Sequence, residues 1–102
     1  MSLNTAPAGY VPIGVHTAQT NLSTDQQLGI PLGADGIILQ ALTQNVRIRL
    51  DGVAATASVG FQIRAGDPPT LLLLKPNSII HAIQEAATAS LQSQAVKMAG
   101  NY

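Results

Sequence analysis

QNVRIRLDG, Gln44 to Gly52, is the stretch that decides the fold. Val46, Ile48 and Leu50 alternate with Arg47, Arg49 and Asp51. A period of two puts successive side chains on opposite sides of an extended strand. The aliphatic set is therefore predicted to face a core, and Asp51-Gly52 to turn the chain. The same stretch raises the functional question, because it is the most charged short piece of a sparsely charged chain. Arg47, Arg49 and Asp51 are candidates for a binding stripe, a solvated outer face or a contact between subunits. On a wet face, Asp51 or an arginine across a hairpin (Arg64) would complete a local charge cluster. Exposed pairs of that kind add little stability.

The neighbouring segments also read as short strands separated by turns. Gly36 to Leu42 is a β-rich run, and Val59, Phe61 and Ile63 alternate with Ser58, Gly60, Gln62 and Arg64. Four leucines, Leu71 to Leu74, put two side chains on each face of a strand. One pair can enter the core, and the other needs a second layer or another subunit, with Leu72 and Leu74 the candidates for an intersubunit surface. The pattern predicts an all-β fold, a small β-sandwich or barrel over residues 28–102. Residues 1–27 are poor in bulky apolar groups and are predicted to form an extended N-terminal arm. Pro12 and Gly14 confine any strand at Tyr10 to His16 to an edge. Residues 78–97 admit two readings. Ile80, Ile83, Ala87 and Leu91 have roughly helical spacing, whereas a hairpin would run Ser78 to Glu85 and Ser90 to Lys97 about a small-residue turn.

The chain has 102 residues, with five acidic and five basic side chains. Zero net charge argues against nucleic acid or an anionic membrane surface as partner, since both reward a basic excess. Charged residues make up 10% of the chain, against about 25% in an ordinary soluble domain. A surface of Gln, Asn, Ser, Thr, Gly and Ala costs little to desolvate, which suits assembly. The absence of cysteine excludes disulfides and thiolate chemistry. The opening MSLNTAPAGYVP lacks a basic n-region and an apolar h-region, so no secretory signal is expected. No run approaches the about 20 apolar residues of a membrane helix.

Catalytic patterns are missing. His81 and Glu85 share a face on helix or strand, but two ligands make a poor metal site. The favoured reading of His81, set among Ile79, Ile80 and Ile83, is a partly buried imidazole with a hydrogen-bond partner. No nucleophile elbow, phosphate loop or calcium loop is present, and three of the five carboxylates flank glycines, as turn residues do. No enzyme activity, cofactor or metal is expected.

Several ordered elements resemble small virion proteins of tailed bacteriophages: Gln40-Ala41 in an apolar strand, Gln44 to Gly52, Thr56 to Gly60, Ala65-Gly66, and the tail SIIHAIQEAATASLQSQAV. The resemblance spans residues 36 to 97. It implies a compact, jelly-roll-like β-sandwich with a structural role, and it favours the hairpin for the C-terminal third. Members of that family often end in tyrosines within the last strand; here only Tyr102 is present, beyond the match. The resulting expectation is a capsid decoration or cement protein. It would form a homo-oligomer, a trimer, on the capsid exterior, bind the major capsid protein, and be made in the bacterial cytoplasm. A tail, fibre or head–tail junction module that recognises a protein or a glycan is the alternative.

Overall fold

The computed structural model describes residues 10–98. Strands β1 (Tyr10–Gln19), β2 (Gln26–Gly29), β3 (Gly36–Leu42), β4 (Val46–Arg49), β5 (Phe61–Ile63), β6 (Thr70–Leu73), β7 (Ile79–Gln84) and β8 (Ser90–Met98) follow one another, with no helix among the described residues. They form two four-stranded antiparallel sheets, ordered β1-β8-β3-β6 and β2-β7-β4-β5. Pairing is nested: β1 with β8, β2 with β7, β3 with β6 and β4 with β5. Ladders β3–β8 and β4–β7 join these pairs into sheets. A long antiparallel ribbon rolled over on itself in this way is a jelly roll.

Two-residue periodicity fills the space between the sheets. Ile37, Leu39, Ala41 and Leu91 point inward from one sheet, and Leu28, Val46, Ile48, Ile80 and Ala82 from the other. A fully buried side chain of this size contributes roughly 1.5–3 kcal/mol relative to exposure. Where β3 meets β6 the backbones approach closely. A Cβ on Gly36 would stand 2.5 Å from the Leu72 carbonyl oxygen, so only glycine fits without a backbone shift.

Val46 and Ile48 face the core as the alternation predicts, but Leu50 does not. β4 ends at Arg49, and Leu50, beyond the ladder, is 40% exposed. The leucine run has the opposite parity from that assigned to its candidate interface residues. Leu72 pairs with core residue Ile37, and Leu72 and Leu74 pack against the core. Leu71 and Leu73 take the outward positions, with Leu73 exposed.

The C-terminal third is strand, yet it is not a hairpin. β7 pairs with β2 and β4, and β8 with β1 and β3, so the chain steps from one sheet to the other through residues 85–89. Non-local pairing, with Ile80, Ala82 and Leu91 buried, overrides the helix propensity of this Ala- and Gln-rich segment.

The expected boundary at residue 27 falls inside β2. Residues 1–9 of the expected arm lie outside the described residues. Tyr10–Gln19 is a strand of ten residues, mostly exposed, that pairs with β8 and stands at the sheet edge among the described residues. Leu22 is fully buried in the core, so the described chain is integral to the sandwich well before residue 28.

Candidate functional site

Arg47 and Arg49 lie on the outer face of the β2-β7-β4-β5 sheet, opposite the core side of Val46 and Ile48. Their carboxylate partners come from the chain itself. Arg47 Nε donates to Glu85 Oε2 at 2.5 Å, and its Nη1 to the Gly60 carbonyl at 2.9 Å. Gln62, opposite Arg47 in the ladder, also donates to Glu85 Oε2 at 2.8 Å, and Asn45 donates to Oε1 at 3.3 Å. Hydrogen bonds from Gln62, Asn45 and Arg47 hold the Glu85 carboxyl below its ordinary range, against a smaller upward push from burial. Arg49 grips Asp51 with two parallel bonds, Nε to Oδ1 at 3.0 Å and Nη2 to Oδ2 at 2.6 Å. This fork lowers the Asp51 pKa and raises that of Arg49. Arg64 takes no part in the cluster; it lies 3.9 Å from Asp67. The stripe is therefore two internally compensated ion pairs.

His81 lies in the same face, opposite Arg49 on one side and Gln27 on the other. The His81 side chain is 10% exposed. Its partner is Asp25, although Glu85 is closer in sequence: Nδ1–H donates to Asp25 Oδ2 at 2.7 Å. The other carboxylate oxygen of Asp25 accepts the Ala55 N–H at 2.9 Å, and Ala55 is buried. The connection between β4 and β5 thus folds back over this face and seals the His81–Asp25 pair. No buried side-chain nitrogen or oxygen among the described residues lacks a partner. Nor does any group of three His, Asp or Glu there have the placement to hold a metal ion.

A second surface emerges when the two ends of the sandwich are compared. Connections β2–β3, β4–β5 and β6–β7 share one end, together with the start of β1 and the end of β8. Among the described residues, most exposed large apolar side chains belong to that end or to the connections that start from it, Val15 and Leu42 being exceptions. Leu32 projects from the β2–β3 turn, Leu73 and Ile79 flank the β6–β7 turn, and Tyr10 and Val11 open β1. Leu50, Val53 and Val59 come from the β4–β5 connection, and Phe61 from the first position of β5. Phe61 pairs with Ile48 on the core side of the ladder, but as the first residue of an edge strand it is 67% exposed. Leu50, Val59 and Phe61, with Arg49, Asp51 and Ile48, line a cleft of about 420 Å³.

The opposite end has a different character. Its connections are Thr20–Asp25, Thr43–Asn45, Arg64–Pro69 and Glu85–Ala89. There Asn45 Oδ1 accepts the Ala65 N–H at 2.9 Å, Thr43 Oγ1 donates to Thr88 at 2.6 Å, and Gln84 Oε1 accepts the Ala89 N–H at 3.0 Å.

A jelly roll with eight strands among the described residues, one apolar end and one polar end, is what the fold defines. Comparison with protein-family models, curated proteins and solved structures gives no match. Of the residues singled out from the sequence, Arg47, Arg49 and Asp51 share one face, while Leu72 and Leu74 lie on the inner side of the other sheet. Sequence reasoning missed the apolar end. Its available signal was bulky apolar residues inside turn segments, at Leu32, Val53 and Val59, where polar residues are the rule.

Proposed function

We propose that this chain is a non-catalytic structural protein of a tailed-phage virion, binding the capsid exterior as a small cyclic oligomer, a trimer. The observation that carries the reading is the apolar end. Exposed apolar side chains gathered at one pole mark a protein contact far better than the same residues scattered singly. The jelly roll and the ordered likeness to small virion proteins over residues 36 to 97 support it, although fold alone does not assign function. The mechanism is mechanical. Binding across several shell subunits adds interface that is lost only when the shell opens, so the assembled state is favoured by mass action. Oligomerisation makes several weak contacts act together.

The test adds the protein to purified shells that lack it. Stoichiometric binding and a raised shell melting temperature are expected. No binding, or binding without thermal gain, would sink the proposal. A second reading, a tail or fibre module for a glycan, draws on the cleft, where the Phe61 ring stands beside the Arg49–Asp51 fork. Glycan capture that Phe61→Ser abolishes would favour it.

A further inference from the structure

The groups around the cleft say what fits it. Leu50, Val59 and Phe61 provide apolar walls, with room for a bulky side chain, and the Arg49–Asp51 fork forms the lip. Lys75 and Lys97 are exposed at the same end. Of the carboxylates described there, Asp51 is neutralised within the chain and Asp35 offsets one lysine, which leaves a basic excess. Asp51 accepts both Arg49 bonds, and Asp35 Oδ2 accepts the Met98 N–H at 2.8 Å. Two copies meeting end to end would set this basic excess against itself. A surface that supplies its own carboxylates around an apolar centre meets both features of this end.

We infer that the apolar end docks end-on against a protein surface whose apolar centre is rimmed by carboxylates. A bulky apolar side chain of that surface sits between Leu50, Val59 and Phe61. The inference rests on the structural reading above and names the chemistry of its partner, the shell subunit. Hydrogen-bonded connections such as Thr43–Asn45 then point away from the shell.

Two measurements on the full chain test it. In the first, anilinonaphthalene sulfonate, an aromatic anion of the same chemistry, is titrated in while backbone amide resonances are followed. Shifts centred on residues 50–61 are expected, with affinity at least about tenfold lower in Phe61→Ser, the loss of one good contact. Because Phe61 is largely exposed, the variant should keep the parent melting temperature. Probe binding centred elsewhere, or indifferent to Phe61→Ser, overturns the inference.

The second measures affinity for shells. Phe61→Ser alone, and Lys75→Glu with Lys97→Glu, should each weaken binding at least about tenfold, as anchor and rim positions do. Equal affinity of parent and variants overturns the inference. If the parent fails on shells while the probe still binds at Phe61, the surface inference stands and the virion reading falls. A self-associated species that Phe61→Ser dissolves assigns the end to a second copy, and that also overturns the inference.

Discussion

The two ends of this sandwich are closed by different mixtures of side-chain and backbone bonds. At the polar end side chains hold the connections: Thr43 reaches Thr88, Asn45 reaches Ala65 and Glu85, and Gln84 reaches Ala89. In the β2–β3 and β6–β7 turns of the apolar end the backbone does that work, with Ile30 and Asn77 bonded across the turns and Leu74 donating to Asp35, while Arg47, Asp25 and Asp35 hold Gly60, Ala55 and Met98. Side chains there are left to project, and Leu32 is 78% exposed. A connection that spends its side chains on its own fold has few left for a partner. One that closes through its backbone can present them. Stability and recognition are thus placed at different poles, and substitutions should separate them.

The largest effect is expected at Leu22, a fully buried residue in a polar-end connection. Leu22→Ala should lower unfolding free energy in urea by about 2–5 kcal/mol, through lost burial plus the cavity left behind. Leu32→Ser at the other pole should stay within about 0.5 kcal/mol, as exposed positions usually do. Equal losses at both residues would break the division. Next comes Asp25→Ala, which strands the His81 Nδ1–H and the Ala55 N–H beneath the covering connection. A loss of about 1–3 kcal/mol is expected, the usual penalty for leaving a buried donor without a partner. Faster hydrogen exchange at Ala55 would localise it.

The sequence carried the strands and concealed how they combine. Alternation at Val46–Ile48 and in the run before Ile63 is local, so it survives in one dimension. That β7 and β8 belong to different sheets is not local, since it depends on partners tens of residues away. Leu22 shows the same gap: in TNLSTDQQ it is one apolar residue in a polar loop, and nothing nearby predicts a core position. For the candidate site, the facing of Arg47 and Arg49 and the nearby Asp51 partner were legible, but the pairing of Arg47 with Glu85 was not. Glu85 reaches Arg47 only because β7 lies beside β4, and Asp25 reaches His81 only because β2 lies beside β7. The apolar end depends on the same long-range folding, because its residues come from four separate stretches of chain.

A smaller effect is expected from the Glu85 cluster, which lies toward the polar end. Its folded pKa is depressed below the ordinary 4.5. A depressed carboxylate contributes stability that is fully present above its unfolded pKa and lost as pH falls through the folded value. Glu85→Gln should therefore lower the melting temperature at neutral pH. The curves of parent and variant should converge as pH falls below 4.5. A gap that persists in acid would mean that the cluster acts through packing instead of charge.

The smallest effect on stability, and the sharpest on recognition, is expected at Asp51. Its carboxylate is more than half exposed, whereas that of Glu85 is 18% exposed. Solvent screens such a pair, so Asp51→Asn should move the melting temperature less than Glu85→Gln does. The same substitution releases the Arg49 guanidinium at the lip of the cleft, next to Phe61. A freed guanidinium is a planar fork suited to carboxylates. Asp51→Asn should therefore bind a carboxylate-rimmed partner more tightly than the parent, with the gain falling as salt is raised. Asp67→Asn near the polar end, which loosens the longer Arg64 contact, should change neither quantity. If Asp51→Asn weakens binding instead, Asp51 is itself a contact, and the lip recognises a donor-bearing partner.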